Sequence, residues 1–403
     1  MNTQRTVIFL GDGMADQPVE QLGGQTPLQY ASTPAMDSIA RDGVSGALLT
    51  LPEGFPTSSE VANMSVLGCD LATEYCGRGP LEAAGRNIPL AADDKAFRLN
   101  LTATEGGVLK DFSAGHIAQD AAEELIRTLD KALGTGDIKF HSGVSYRNLL
   151  ILSGPGYSAG IKTDKPDDCH GEAVADHYPA AAGPEAENTA QLLRNLIEQA
   201  PSVLEASPVN RRLVKAGKPP ANGVWPWSGG QAGALRSIKD KYGVSSAVIS
   251  AVDVIIGLGR CLGMDVIHVE GATGYIDTNY EGKADGAIEA LKTHELVYLH
   301  LEAIDEVSHE QNLELKLKAI ENFDSRIVAR VLDSLSPEEL NAVVLPDHPV
   351  PVTLGKHTRT PVPVAARLAG REPDSVMTFD EIACPNGALG AMTNGDLMDL
   401  LFR

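Results

Sequence analysis

Aspartate and histidine residues in the last quarter of the chain have the spacing of metal ligands. Asp305 and His309 are four residues apart, so one helical turn places both side chains on the same face. Asp347 and His348 are adjacent, and His357 follows nine residues later. Each motif alone is also typical of a solvated ion pair or of a turn before proline. Together they supply oxygen and nitrogen ligands that suit Mn²⁺, Zn²⁺ or Co²⁺ better than Ca²⁺.

The elements predicted around these residues place them at one edge of a sheet. The apolar run 6–10 has the pattern of a strand buried on both faces, and Asp12 follows shortly after it. Predicted strands over 296–301 and 342–345 end just before the two Asp-His motifs. In parallel sheets, ligands bind beyond the carboxyl ends of the strands. The sequence therefore predicts two divalent cations at this edge, with Asp12 among their ligands.

A serine is a candidate nucleophile for the same site. Residues 57–60 read Thr-Ser-Ser-Glu and open a helical pattern, which fits a capping box with Thr57 as the N-cap and needs no catalytic role. A serine in the first helical turn also lies beside backbone N–H groups that suit a phosphate. Coordination to a cation would lower the pKa of its hydroxyl. We therefore predict Ser59 as the nucleophile.

The order of predicted elements indicates an α/β fold with two domains. Strands and helices alternate at both ends of the chain, which predicts a doubly wound, mostly parallel sheet. Residues 1–90 and 220–403 are expected to form this metal-binding catalytic core. Residues 91–219 contain short strands, helices and long loops rich in Gly, Pro and Asp. They are expected to form an inserted α/β domain that binds substrate and acts as a lid.

Charge and composition exclude several classes of protein. The 403 residues include 33 Lys and Arg against 54 Asp and Glu, a formal charge of −21, which argues against binding to nucleic acid or to an anionic membrane. No uncharged apolar stretch approaches the length of a membrane span. The five cysteines have no C-x-x-C spacing, so we expect a reducing compartment, the cytoplasm. No P-loop motif is present, which argues against ATP binding of that kind.

Longer motifs carry a family resemblance over nearly the whole chain. They resemble segments of the archaeal-type, cofactor-independent phosphoglycerate mutases, a family of the alkaline phosphatase superfamily. The resemblance implies an alkaline phosphatase-like core. The motifs are GDGMAD (11–16), TSSEVANMSVLG (57–68), GRGPLEAAG (77–85), SAGHI (113–117), SYRNLLIL (145–152), NRRLVKAGKPPANGVWPW (210–227), AVISAVDVIIGLGR (247–260), GATGYIDTNYEGKA (271–284), AIDEVSHE (303–310) and PDHPVPV (346–352).

The resemblance implies an isomerase of glycolysis and gluconeogenesis that interconverts 3-phosphoglycerate and 2-phosphoglycerate. It makes Ser59 the residue that is phosphorylated during turnover. It also implies two divalent metal ions, Mn²⁺ first and Zn²⁺, Co²⁺ or Mg²⁺ as alternatives. One ion would be held by Asp12, Ser59, Asp347 and His348, and the other by Asp305, His309 and His357.

The chain departs from the family pattern at four positions near these residues. Ser58-Ser59-Glu60 stands where Gly-Ser-Asp is usual, so Ser58 stays a second candidate nucleophile. Asn63 replaces a usual histidine, and Ser308 replaces a common glycine. None of these changes removes a predicted metal ligand.

Five further residues are candidates for binding the substrate. Arg78, Arg147 and Arg260 lie inside the resemblance motifs, and arginine suits bidentate recognition of phosphate and carboxylate groups. Lys283 is a further cation, and His116 resembles a family histidine that binds substrate or transfers a proton. Each arginine could equally belong to a solvated ion pair, and His116 could be a loop histidine without a catalytic role.

Other functions are compatible with the same metal site. A metal-dependent phosphomonoesterase or another phosphotransferase would use the same residues. Relatives of this type have been labelled homoserine kinase or phosphonopyruvate decarboxylase, but the chain has neither an ATP motif nor a thiamine motif. A non-catalytic protein that binds metal or senses a sugar phosphate would keep the cations without needing Ser59. The sequence leaves the oligomeric state open.

Overall fold

The chain folds into two compact units. A computed structural model describes residues 4–233 and 235–403. The first unit comprises Met1–Tyr75 and Leu235–Arg403, and the second comprises Cys76–Ala234. The sequence analysis predicted boundaries at 90/91 and 219/220. The first boundary differs because a helix, Arg78–Gly85, packs on the strand Lys95–Glu105 of the second unit. The second differs because the strand Gly223–Gln231 pairs with Lys95–Glu105 as well.

Strands make up two main sheets, one in each unit, and a short two-stranded pair. In the described residues, strands β1 to β15 span Arg5–Gly11, Val44–Leu48, Lys95–Glu105, Val108–Asp111, Ile138–Val144, Arg147–Leu152, Ile161–Lys162, Ala180–Ala181, Gly223–Gln231, Ser246–Ile249, Asp265–Val266, Leu296–Leu301, Leu340–Pro346, Val362–Arg367 and Gly390–Met392.

Helices flank these sheets. In the described residues, α1 to α15 span Pro27–Tyr30, Pro34–Arg41, Ser59–Val66, Leu71–Glu74, Arg78–Gly85, Gln119–Leu133, Glu187–Glu205, Pro208–Lys215, Ile238–Tyr242, Asp253–Cys261, Tyr280–Ala290, Ala303–His309, Leu313–Asn322, Ala329–Leu332 and Asp396–Phe402. None of them combines the length and apolar composition that a membrane crossing requires.

The first unit is built on an eight-stranded, mostly parallel sheet, which confirms the predicted doubly wound fold. Its strand order is β11-β10-β12-β1-β13-β14-β2-β15. All neighbouring pairs are parallel except β13 with β14 and β14 with β2. The strands β12 and β13 are buried along their whole length, as expected for a sheet with helices on both faces. Burial of each large apolar side chain stabilises this core by about 1.5–3 kcal/mol.

The second unit has an antiparallel sheet. Its longest strand, β3, pairs with β4, β6 and β9, and β6 also pairs with β5. Helices α6 and α7 cover this sheet with apolar side chains such as Leu125, Leu129 and Leu193. The segment between β6 and α7 has little regular structure beyond the pair β7–β8 and three short 3₁₀ turns.

Some predicted elements differ from the structure. The sequence pattern predicts one helix over 312–334, but the structure divides it into α13 and α14 by a π-helical turn, Phe323–Val328. The pattern also predicts a strand over 265–269, which pairs only over Asp265–Val266. Several strands were not predicted, among them β9 and β14, each of which contains a proline.

Candidate active site

Three adjacent strands end at one edge of the first unit's sheet. In register, Gly11 at the end of β1 is paired with Leu301 of β12 and with Pro346 of β13. The residues that follow these strand ends, among them Asp12 and Asp347, therefore meet at the same edge. Both side chains are completely buried.

A first group of ligand atoms surrounds the imidazole of His348. Its Nε2 atom lies 3.3 Å from Asp12 Oδ1, 3.4 Å from Asp347 Oδ2 and 3.2 Å from Ser59 Oγ. In the described part of the chain, Asp12 Oδ1 and His348 Nδ1 are buried without a hydrogen bond. Buried polar atoms are normally satisfied, so this convergence of oxygen and nitrogen atoms fits a cation.

Ser59 is the first residue of α3, and this places its hydroxyl beside His348. The predicted capping box is wrong, because the N-cap is Ser58 and not Thr57. The backbone of Ser58 is extended (φ −150°, ψ 154°), and its side chain makes no capping hydrogen bond. The Thr57 carbonyl instead faces Nδ1 of His357 at 3.1 Å. Of the two candidate serines, Ser59 contacts His348, whereas the buried Ser58 Oγ makes no hydrogen bond within the described residues.

A second group consists of Asp305, His309 and His357. The two Nε2 atoms of the histidines face each other at 2.9 Å, and Asp305 lies 3.3 Å from His309 and 3.6 Å from His357. Nδ1 of His309 lies 2.8 Å from the Gly355 carbonyl, and Nδ1 of His357 faces that of Thr57. A carbonyl only accepts hydrogen bonds, so each Nδ1 carries the proton and each Nε2 presents its lone pair. This is the arrangement of metal-binding histidines.

The two groups are adjacent. The rings of His348 and His357 stack with centroids 3.9 Å apart. The structure thus brings together all seven residues that the sequence analysis predicted as metal ligands, in two clusters of the predicted membership.

Burial and neighbouring charges shift the pKa values of the carboxyl groups at this site. Burial, together with the charges of Asp347, Glu302 and Asp305, raises the pKa of Asp12 well above its ordinary value. Burial also raises the pKa of Asp347, and that of Glu302 to about 8. Burial also acts to raise the pKa of Asp305, but whenever the His309 ring is doubly protonated, its hydrogen bond and charge hold the pKa of Asp305 below the ordinary value. Crowded buried carboxylates of this kind favour a bound cation.

Sequence reasoning missed a third group formed by Asp12, His300 and Glu302. His300 Nε2 lies 3.0 Å from Asp12 Oδ2, and its Nδ1 lies 3.2 Å from Ser250 Oγ. Burial lowers the pKa of His300 to about 3, so the ring is neutral. The sequence does contain a signal, because His300 is the one residue of the strand LVYLHL whose side chain is a common metal ligand.

Asn63 fixes the position of Asp347, a role that sequence reasoning also missed. Its Nδ2 donates hydrogen bonds to Asp347 Oδ2 and to the Ser59 carbonyl, each at 2.9 Å. Its Oδ1 accepts a 2.5 Å hydrogen bond from the hydroxyl of Tyr298. The amide therefore ties helix α3, which carries Ser59, to the end of β13.

In the second unit, Arg78 belongs to a buried cluster around Glu82. Glu82 Oε1 accepts hydrogen bonds from Arg78 Nε at 2.7 Å and Arg98 Nη1 at 3.0 Å, and Arg86 lies 3.6 Å from Oε2. Burial alone would raise the pKa of Glu82, but the three arginines lower it to about 2. Arg78 is thus held by a buried carboxylate that it shares with two other arginines.

His116 and Arg147 meet through Tyr146 in the same unit. Arg147 Nε donates a 3.1 Å hydrogen bond to the Tyr146 hydroxyl, and the His116 ring lies edge-on to the Tyr146 ring at 5.9 Å. His116 is exposed and has a positive φ of 49°. Two of the predicted substrate residues therefore share one aromatic neighbour.

Arg260 and Lys283 belong to the first unit. Arg260 is partly buried in the last turn of α10. Lys283 is completely buried, and its Nζ donates a 3.0 Å hydrogen bond to the His300 carbonyl. Burial lowers its pKa to about 8. The ammonium group thus supports β12 from inside the core.

Comparison with known proteins gives consistent matches. A family model described as 2,3-bisphosphoglycerate-independent phosphoglycerate mutase matches residues 40–210. The 2,3-bisphosphoglycerate-independent phosphoglycerate mutase of Methanosarcina acetivorans is 50% identical over 399 residues, which cover 98% of this chain and 99% of the relative.

Solved structures agree with this match. A Pyrococcus horikoshii protein is 28% identical, with a TM-score of 0.83, and the match covers 99% of this chain and 96% of that protein. The cofactor-independent phosphoglycerate mutase from Thermoplasma acidophilum is also 28% identical, with a TM-score of 0.67, over 99% of this chain and 98% of that protein.

Proposed function

The chain belongs to the 2,3-bisphosphoglycerate-independent phosphoglycerate mutase family, and we propose that it interconverts 3-phosphoglycerate and 2-phosphoglycerate through a phosphoserine at Ser59. The reaction is an isomerisation in which the phosphoryl group leaves one hydroxyl and returns to the other. The observation that carries the proposal is the 3.2 Å contact between Ser59 Oγ and His348, whose ring also faces Asp12 and Asp347.

Two divalent cations fit the residues of this site. Asp12, Ser59, Asp347 and His348 would hold one, and Asp305, His309 and His357 would hold the other. Bound cations would lower the pKa of the serine hydroxyl and stabilise charge on the phosphoryl oxygens. The ligands contain no sulfur, and we propose Mn²⁺ as the ion.

The residues of the chain then have distinct tasks. Ser59 Oγ forms the new bond to phosphorus while the glycerate oxygen leaves, and in the second step the other glycerate hydroxyl attacks the phosphoserine. Asn63 and the Gly13 N–H hold Asp347 in place through hydrogen bonds of 2.9 and 3.1 Å. The backbone N–H groups in the first turn of α3 favour the negative charge that accumulates beside Ser59.

Substrate recognition needs cations other than metals, and we propose that Arg78 and Arg147 provide them. The carboxylate and phosphate of a phosphoglycerate are both bidentate acceptors for guanidinium groups. The exposed His116, beside Tyr146, would contact the substrate or transfer a proton. We place this activity in the cytoplasm, where the cysteines would stay reduced, and no disulfide joins any of the five in the described part of the chain.

A coupled assay tests this function. Conversion of 3-phosphoglycerate is followed with enolase, without 2,3-bisphosphoglycerate, after chelation and after addition of single divalent ions. We expect chelation to abolish turnover and Mn²⁺ to restore it. Ser59→Ala should lower turnover by on the order of 10⁴-fold or more, whereas the matched control Ser58→Ala keeps the phosphorylated residue and should stay active. Release of free phosphate in place of 2-phosphoglycerate would instead identify a phosphomonoesterase.

A further inference from the structure

A second cluster of ligand atoms lies in the second unit, in the irregular segment between β6 and α7. Asp164, Cys169 and His177 each offer one atom, and these atoms lie within 4.8 Å of one another. Cys169 ends one 3₁₀ turn, Pro166–Cys169, and His177 ends the next, Val174–His177. The cluster therefore connects two turns, and the backbone between them is hydrogen-bonded to Leu109 of β4 at Gly171 and Glu172.

The distances in this cluster match those of a tetrahedral zinc site. Zn–S and Zn–N bonds of about 2.3 and 2.0 Å place sulfur and nitrogen about 3.5 Å apart. Cys169 Sγ lies 3.5 Å from His177 Nδ1. Asp164 Oδ2 lies 2.7 Å from the same nitrogen, and a bound ion would require about 3.3 Å. The Asp164 side chain is 60% exposed, so it can move by this small amount.

A carboxylate orients the imidazole from its other side. His177 Nε2 lies 2.6 Å from Glu172 Oε2. Without a cation, both ring nitrogens lie within donating distance of a carboxylate, Nδ1 of Asp164 and Nε2 of Glu172. With a cation bound, the proton on Nε2 would stay donated to Glu172, and Nδ1 would lose its proton and present its lone pair toward Asp164 and Cys169. Metal-binding histidines commonly have such a carboxylate partner, which fixes the tautomer.

Burial and charge at the cluster also favour a cation. Cys169 is 2% exposed and packs with Leu109, Trp225 and Trp227, so its thiol is shielded from solvent. The carboxylates of Asp164 and Glu172 flank the His177 ring at 2.7 and 2.6 Å. In the absence of a cation, the thiol donates to the Lys165 carbonyl at 3.3 Å. A divalent cation would balance the negative charge of these carboxylates and displace the thiol proton to solvent.

We propose that Asp164, Cys169 and His177 bind a divalent cation of the zinc type, with Glu172 as the orienting carboxylate. The cation clasps the two 3₁₀ turns of the second unit. This site is separate in its residues and in its ligand chemistry from the candidate active site, because it includes a thiolate.

Cobalt spectroscopy of the full chain tests the site, with Co²⁺ alone as the probe. A cobalt–thiolate bond gives a near-ultraviolet charge-transfer band, which the sulfur-free ligands of the active site cannot produce. In the described residues, Cys169 is the only cysteine in a cluster of this kind. We expect the band to saturate at one thiolate-bound Co²⁺ per chain and to be absent in Cys169→Ser. Excess Zn²⁺ should remove it.

Substitutions of exposed residues test the site without the risk that replacing the buried Cys169 unfolds the second unit. Asp164→Asn and Glu172→Gln alter exposed carboxylates, and we expect each to weaken Co²⁺ binding by about 10–100-fold. His170→Ala changes an exposed histidine of the same segment and should leave the titration unchanged. Absence of the band from the unaltered protein at saturating Co²⁺, an unchanged band in Cys169→Ser, or unchanged affinity in both carboxylate variants would overturn the proposal.

Discussion

Neutralising Glu82 is expected to destabilise the second unit by several kcal/mol. Its carboxylate is 4% exposed and contacts Arg78, Arg98 and Arg86, of which Arg98 is also almost fully buried. In Glu82→Gln the amide oxygen still accepts hydrogen bonds, but the negative charge is lost. The three guanidinium groups then lose the charge of Glu82, and breaking a buried ion pair in this way typically costs about 3–5 kcal/mol.

The pKa of Glu82 gives a second value for the same quantity. The arginines lower this pKa from 4.5 to about 2 against the opposing effect of burial. At roughly 1.4 kcal/mol per pKa unit, the ionised carboxylate stabilises the folded chain by about 3 kcal/mol. Because the pKa is lower in the folded chain, this contribution is complete above pH 4.5 and is lost as the pH falls toward 2.

Urea unfolding followed by tryptophan fluorescence measures this effect. Both tryptophans of the chain, Trp225 and Trp227, lie in β9, so fluorescence reports on the second unit. The matched control is Glu124→Gln, which removes an exposed ion pair with Arg212 and should cost less than about 1 kcal/mol. A loss below about 1 kcal/mol for Glu82→Gln at pH 7, or a difference from the unaltered protein that does not shrink at pH 3, would refute the reasoning.

Two further substitutions test how the loops of the candidate active site are held. Gly13 has a φ of +63°, and an added Cβ would lie 2.7 Å from Asp305 Oδ1, so Gly13→Ala should weaken Mn²⁺ retention, measured by equilibrium dialysis. The control Gly23→Ala has a similar φ of +68° with open space around the added Cβ, and should cost only the backbone strain of about 1–2 kcal/mol. Lys316→Met removes a buried ammonium that lies 2.7 Å from Asp16, and the unpaired carboxylate should lower the free energy of unfolding by about 3–5 kcal/mol in urea titrations.

Equal Mn²⁺ retention in the two glycine variants would contradict the close approach of Gly13 to Asp305. A Lys316→Met protein as stable as the unaltered chain would contradict the role of the buried ion pair with Asp16.

The sheet and the meeting of the predicted metal ligands at its edge were predictable because local signals and topology agree. A continuous apolar run predicts a buried parallel strand, and a parallel sheet gathers the residues that follow its strands at one edge. Asp12 and Asp347 meet for this reason, although they are far apart in sequence. Asp305 and His309 lie in one helix, as their spacing predicts.

Other features depend on contacts that the local sequence does not specify. The hydrogen bonds of Asn63 join α3 to residues more than 200 positions away. The cluster around Glu82 includes Arg98, which lies in a strand pattern where a buried arginine is not expected. Long-range polar contacts of this kind are visible only once the fold is known.

Two strands that contain proline, β9 and β14, were not predicted from the sequence. Pro363 pairs with Ala47 of β2, whereas β14 begins its pairing with β13 only at Ala365, so the missing N–H does not interrupt that ladder. Pro226 lies in β9, which among the described residues pairs with β3 alone and so leaves its other edge without a strand partner there. Both prolines occupy the positions that a sheet tolerates.

The capping-box prediction failed because the residues at this helix end contact the candidate active site. Thr57 was expected to cap the helix, but its carbonyl faces His357, and the Ser59 hydroxyl faces His348. At this helix terminus, the site determines the roles of the polar side chains.

Trapping the phosphorylated enzyme tests the central claim most directly. The protein is loaded with Mn²⁺, mixed with 3-phosphoglycerate and quenched in acid during turnover, and its peptides are mapped by mass spectrometry. We expect one phosphoryl group, on Ser59, with Ser58 unmodified, because Ser59 Oγ is the hydroxyl that faces His348. The Ser59→Ala protein should trap none and should not isomerise substrate. A phosphoryl group on Ser58, or isomerisation by Ser59→Ala, would contradict the account.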